Sequence, residues 1–172
     1  MDISSYSNDS RTVIKNAQEV VAAFRHAEID VEHLLMVVVR HESPEVESIL
    51  NQLKKPASFV ESIVEIYLKD QPAKATGREK APVSPAVQTI LANAIDEKAK
   101  LYDALVEPEH ILIAVFDPRS ALSGYVRDKL DFTKEDIYRA IAEIKAVQQI
   151  TEPSAGKGAA GGAGAAAAEA PG

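Results

Sequence analysis

Glu32-His33-Leu34-Leu35 recurs 77 residues further on as Glu109-His110-Ile111-Leu112. Each quartet opens an apolar stretch: Val38 and Val39 continue the first, Val115 and Phe116 the second. One such quartet would carry little weight. Two, at matching places in two similar stretches, mark an internal repeat. Ser84 finds a partner in Ser10 at a spacing of 74, and Ile141 and Ile144 find partners in Ile63 and Ile66 at 78. The chain therefore reads as two copies of one unit with small loop insertions.

Working outward from the quartets, the apolar spacing is helical throughout. Val13, Ala17, Val20, Val21 and Phe24 fall on one face of a first helix. The helix carrying Leu34, Leu35, Val38 and Val39 follows Asp30. Ser43-Pro44 opens a third, since Pro is tolerated at the first helical position; its stripe is Val46, Ile49, Leu50 and Leu53. Ser58 and Glu61 have capping-box spacing, which predicts a fourth helix burying Phe59, Ile63, Ile66 and Tyr67. The second copy begins at Ser84-Pro85, with Val87, Leu91, Ala94 and Ile95. It continues through Ile111, Leu112, Val115 and Phe116, then Leu122, Tyr125, Val126 and Leu130. It ends on Thr133 and Asp136, a second capping pair, before Ile137, Ile141 and Ile144.

The expected fold class is all-α: two pseudo-symmetric four-helix repeats forming one compact helical domain over residues 1–150. Repeat one covers about 7–68 and repeat two about 84–150. The polar stretch 69–83, with two Pro and a Gly, reads as a linker. From Pro153 to Gly172, Ala and Gly fill 15 of 20 positions, and such a segment buries too little surface to offset its ordering entropy. Residues 151–172 are expected to form a flexible tail.

Of the 172 residues 46% are hydrophobic, but only 5% are aromatic, so the core must be Leu, Ile, Val and Ala. The formal net charge is −7 without a basic run, which argues against nucleic acid as a partner. There is no Cys, hence no disulfide or thiolate chemistry. The N-terminus lacks the basic and apolar regions of a signal peptide, and no apolar run is long enough to span a bilayer. A cytoplasmic protein without a membrane partner is expected.

Glu-His-Leu-Leu and Glu-His-Ile-Leu in register, with Ser84-Pro85-Ala86-Val87-Gln88 opening the second unit, resemble the Clp repeat over roughly residues 7–150. This is the N-terminal domain of the Clp AAA+ unfoldases, and the likeness is nearest to ClpB-like and ClpC-like members. The resemblance implies a mobile protein-binding appendage that docks substrates or adaptors for an unfoldase ring, present in cis or in trans. Its partners would be unfolded or aggregated polypeptides, or an adaptor protein. An alternative is a stand-alone accessory subunit that binds and stabilises a Clp protease complex. No Gly-x4-Gly-Lys-Ser/Thr phosphate loop is present, and the chain stops where the ATPase modules should begin. No enzymatic activity, cofactor or metal is therefore expected, and the chain reads as an excised domain, a truncated product or a stand-alone relative.

Seven residues are candidates for substrate or adaptor binding. Glu32 and Glu109 occupy matched helix N-termini, where an acid complements the macrodipole and also offers a contact for cations. The resemblance to ClpB-like members adds Ser7 (or Ser10), as cap of the first helix, and Asp103, six residues before Glu109, as a polar patch beside a groove. As rim charges, Asp103 and Glu109 should matter little for stability. Leu101, Tyr102 and Leu105 cluster where the helical stripe has ended and are the apolar candidates. His33 and His110 are symmetric and read as core or boundary imidazoles, because zinc would need three or four converging ligands. His26 and His41 are expected to face solvent.

Overall fold

The structure, a computed structural model, describes residues 3–74 and 80–151. Among these residues a short 3-10 turn at Ile3–Ser5 is followed by eight helices in order: α1 (Asn8–Phe24), α2 (Val31–Arg40), α3 (Pro44–Gln52), α4 (Ala57–Asp70), α5 (Pro85–Lys100), α6 (Pro108–Val115), α7 (Gly124–Leu130) and α8 (Lys134–Thr151). Among the described residues there is no strand ladder, and the expected all-helical repeat stands. The proposed tail lies outside the described residues, as does part of the linker.

The two quartets open the two innermost helices. Every residue from Val31 to Val39 in α2 is buried, and so is every residue from His110 to Val115 in α6. Helices that are apolar all round must be enclosed by others. Accordingly α2 packs against α1, α3, α4, α5 and α6, while α6 packs against α1, α2, α3 and α5. Leu34, Leu35 and Val38 on α2 and Ile111, Leu112 and Ile113 on α6 are essentially inaccessible. Each removes a full aliphatic side chain from water, worth about 1.5–3 kcal/mol before the entropic cost.

Backbone features repeat at a constant spacing of 77, which corrects two of the pairings read from the sequence. Ser7 and Ser84 are the equivalent N-caps, their side chains accepting from Ser10 N and Val87 N. Ser10 is instead the counterpart of Val87, and both are buried. Val60 and Ile137 likewise match at 77 and are fully buried. Arg25 and Tyr102 both lie in the left-handed region, with φ of 57° and 60°, as do Lys54 and Asp131, with φ of 62° and 56°. Two isolated parallel bridges, Tyr6 with Val106 and Ile29 with Val83, exchange partners between the repeats in the same register. Ser7 N donates to Val106 O at 3.0 Å, and Ser84 N donates to Ile29 O at 3.0 Å.

Two details depart from expectation. α4 starts at Ala57 behind Pro56, whose φ of −60° and extended ψ of 158° set the helix start there. Ser58 thus falls inside the helix and the Ser58/Glu61 box does not form; Glu61 pairs with Arg40 at 2.8 Å instead. The buried stripe becomes Val60, Ile63, Val64 and Leu68, leaving Ile66 and Phe59 exposed. The second departure is a buried ionic cluster. Lys134 Nζ donates to Glu97 Oε2 at 2.7 Å and to Asp117 Oδ2 at 3.0 Å. Hydrogen bonds from Arg119 and then Lys134 hold the Asp117 carboxyl well below the usual carboxylate range. Thr133 and Asp136, by contrast, cap α8 as the sequence indicates, at 2.8 and 3.2 Å.

Candidate functional site

The loops that lead into α2 and α6 hold most of the candidate residues. Both are built alike. Arg25 follows the last residue of α1 as its C-cap, and Tyr102 lies just past Leu101, the C-cap of α5; in each case the left-handed residue turns the chain, and its amide and the next donate back into the last turn. Five residues later comes the N-cap of the next helix, Asp30 in one corner and Glu107 in the other. There a histidine replaces the usual Glu or Gln of a capping box. The N-cap amide of Asp30 donates to His33 Nδ1 at 2.9 Å, and that of Glu107 donates to His110 Nδ1 at 2.8 Å.

Since Nδ1 accepts, the ring proton must sit on Nε2. His33 Nε2 then donates to His26 Nδ1 at 2.8 Å, and His110 Nε2 donates to Asp103 Oδ2 at 2.7 Å. His26 and Asp103 are themselves repeat equivalents, so each corner is a three-part relay from backbone through buried imidazole to an outer acceptor. His26, expected in solvent, is 8% exposed because it closes this relay. His41 is half-buried and pairs with Asp9 at 3.1 Å. Burial first, and the neighbouring His26 second, push His33 down to about 4. With both ring nitrogens of His33 and His110 committed to structure, neither is free to shuttle protons.

Asp103 is therefore more than a rim charge: it receives the bond from a fully buried ring. The matched glutamates diverge. Glu32 is buried and its Oε2 accepts from Ser123 N, the N-cap of α7, at 2.8 Å. It lines a cavity of about 420 Å³ with Asp30, His33, Tyr67 and Lys74. The buried Oε1 of Glu109 has no hydrogen-bond partner among the described residues. Burial, together with Glu45, Glu107 and Asp103, raises its carboxyl to about 7. Among the described residues no group of three or more His, Asp or Glu could hold a metal ion.

The structure brings Ser7, Leu101, Tyr102, Asp103, Leu105 and Glu109 into one neighbourhood. Ser7 is joined to the loop through Val106, whose carbonyl also accepts from Ser10 Oγ at 2.6 Å. Leu101 is half-buried as the C-cap of α5, Leu105 is 39% exposed and Tyr102 is 95% exposed. Glu32 stands apart, in the other repeat's corner. Reading the sequence missed the N3 histidines as caps, although Asp30-Val31-Glu32-His33 carries the capping spacing. It also missed Glu97, Asp117 and Lys134, which are too far apart in the chain to signal contact.

Two interlocked helical repeats with a solvent-facing apolar loop define a helical repeat domain. The chain belongs to the Clp repeat N-terminal domain family, whose model matches residues 5–129. It is 29% identical over 157 residues to the chaperone protein ClpB of Nitratidesulfovibrio vulgaris, covering 88% of this chain and 18% of that protein. It thus spans about a fifth of the length of that relative. The fold is that of the N-domain of ClpV from Vibrio cholerae, with TM-score 0.70 at 18% identity, over 84% of this chain and 87% of that one. It is also that of the ClpV N-domain solved in complex with a VipB peptide, with TM-score 0.65 at 19% identity, over 84% of this chain and 89% of that one. Among the described residues, no helix is long and apolar enough to cross a membrane.

Proposed function

We propose that this chain is a non-catalytic docking module that receives partly unfolded polypeptides or adaptors in the cytoplasm and presents them to a Clp-type AAA+ ring. Tyr102 carries the reading. An aromatic side chain is 95% exposed on a residue held at φ 60°, a conformation that a bulky residue adopts at a cost. The bridge at Val106 and the Asp103–His110 bond fix the backbone on either side, so the ring is presented on a preorganised support. Leu105 extends the apolar surface, and Asp103 and Glu109 border it. Family membership and the peptide complex of a ClpV N-domain support the same role.

The contact area is small, so binding should be weak, micromolar or worse, once association and ordering costs are met. Weak capture also suits a receptor that must release its cargo. The test is titration of a permanently unfolded protein against wild type, Tyr102→Ala, Asp103→Ala and Glu109→Ala, with thermal melts alongside. Tyr102→Ala should weaken binding several-fold without lowering the melting temperature. Asp103→Ala should weaken binding and also destabilise, because His110 loses its acceptor. Unchanged affinity in Tyr102→Ala would remove the loop from the binding surface, and no binding by wild type at high concentration would defeat the docking role.

A further inference from the structure

A second surface, lined by none of residues 101–105, lies along α1. Ile14, Ile29 and Val83 floor a groove of about 310 Å³, and Arg11, Lys15 and Lys80 stand on its rim. Its far wall is pinned: Gln18 Nε2 donates to Ala81 O at 2.7 Å, and Ala81 N donates to Gln18 Oε1 at 3.0 Å. The groove is therefore part of the fold and not a gap between loose side chains.

The repeat explains why this groove is open and basic. Val83 is the counterpart of Tyr6. In the second repeat the larger residue fills the equivalent space, with Tyr6 2% exposed and its hydroxyl donating to Leu91 O, the counterpart of Ile14, at 2.7 Å. Valine in the same place leaves room over Ile14. The charges are equally one-sided, since Arg11 and Lys15 correspond to Gln88 and Ala92, and Lys80 to Ile3. Three cations thus collect around one apolar floor on a chain of net charge −7. Among the described residues no carboxylate lies within ion-pair distance of Arg11, Lys15 or Lys80.

We infer that the α1 groove binds an acidic-apolar peptide segment, with one or two large apolar side chains over Ile14, Ile29 and Val83 and flanking carboxylates meeting Arg11, Lys15 and Lys80. A polyanion such as nucleic acid fits less well. The floor is aliphatic and offers little aromatic surface for base stacking, and the acidic remainder of the molecule repels a long chain of phosphates. A short peptide with a few carboxylates takes the local attraction without that penalty. The rim should set specificity and salt dependence, and the floor should set the affinity.

The experiment uses the full chain and three synthetic peptides: Leu-Phe flanked by Glu and Asp, the same core flanked by Lys, and the acidic flanks around Ser-Ser. Amide chemical shifts are followed at low and at high salt, with a single-stranded oligonucleotide as a fourth ligand. The acidic-apolar peptide should shift α1 and residues 80–83 and bind roughly tenfold tighter than either control, a preference that salt erodes. Lys15→Glu with Lys80→Glu, both at exposed positions, should reverse the preference between flanks while the melting temperature holds. Tyr102→Ala should leave this binding unchanged, which separates the groove from the docking loop. Equal binding of all three peptides, shifts confined to residues 101–109, or tighter binding of the oligonucleotide would each overturn the assignment.

Discussion

The corner from Val21 to His33 and the corner from Lys98 to His110 share one backbone and differ in what they show to solvent. Both turn on a left-handed residue, both return two amides to the preceding helix, and both cap the next helix with a histidine. The outer positions diverge. Phe24-Arg25-His26-Ala27-Glu28 in the first corner stands where the second has Leu101-Tyr102-Asp103-Ala104-Leu105. The first loop turns a cation and an acid outward and tucks His26 inside; the second turns out a tyrosine and a leucine and keeps its acid at the edge. The inner half of the corner is constrained by folding, because a buried imidazole must satisfy both its nitrogens. The outer half is not so constrained, and the proposed docking surface draws on that freedom.

If the relays are structural, breaking them should be the most costly change, and costlier in the second corner. His110 is fully buried and donates to a carboxylate, which strengthens the bond; His33 donates to a neutral ring. His110→Ala should lose about 3 kcal/mol, combining a cavity with an orphaned amide and carboxylate, and His33→Ala somewhat less. Urea denaturation at neutral pH measures both. A larger loss in His33→Ala would reverse the proposed ranking of the corners.

The first corner should be the acid-sensitive one. His33 has its folded value lowered from 6.5 to about 4, so its contribution is complete above 6.5 and is lost as pH falls toward 4. The loss approaches about 3.5 kcal/mol, at about 1.4 kcal/mol for each tenfold change in proton affinity. His33→Gln, which can still accept the cap amide, should flatten stability over that window. A slope that survives the substitution would assign the acid sensitivity elsewhere.

The two glutamates sharpen the contrast with the opposite sign. Glu109, raised from 4.5 to about 7, favours folding in its protonated form. That advantage is complete below 4.5 and is lost as pH rises through about 7. Glu109→Gln should therefore leave stability unchanged at pH 4.5 and raise it by about 2 kcal/mol at pH 8, after allowance for partial exposure. Burial raises the Glu32 carboxyl too, but its Oε2 accepts from Ser123 N, a bond that the amide would have to match, so Glu32→Gln should gain less at pH 8 than Glu109→Gln. Melts of both variants at the two pH values decide the matter, and a gain in Glu32→Gln as large as that in Glu109→Gln would show the sites to be alike.

The sequence revealed the helices because the core is aliphatic and periodic, and it revealed the repeat because Glu-His-Leu-Leu sits where burial is complete. It misplaced the start of α4, since Ser58 and Glu61 satisfy a capping pattern that Pro56 pre-empts. It offset Ser10 against Ser84 because several serines near the N-terminus can cap, and only backbone pairing at Val106 singles out Ser7. The Glu97–Lys134–Asp117 cluster left no trace in local pattern, because its members meet only in the folded chain. Of the candidate site, Tyr102 and Leu105 were legible as apolar residues beyond the end of a stripe. Asp103 was legible as an acid but not as the acceptor of His110.

The smallest expected effect is also the one that separates folding from binding. Arg25 and Tyr102 hold nearly the same φ, 57° and 60°, at equivalent positions, and both project outward. Glycine adopts this region without steric cost, whereas its extra freedom in the unfolded chain works against it. The two terms leave a net gain of about 0.5 kcal/mol in each of Arg25→Gly and Tyr102→Gly. Differential scanning calorimetry should show both variants melting at or slightly above wild type. Titration with a permanently unfolded protein should then divide them: Arg25→Gly should bind as wild type, and Tyr102→Gly should bind weakly or not at all. A tyrosine that is retained against backbone preference, contributes nothing to stability and is required for binding is a docking residue. If both variants bind equally well, the two corners are equivalent on the outside as well as the inside, and the asymmetry assigned to them has no functional content.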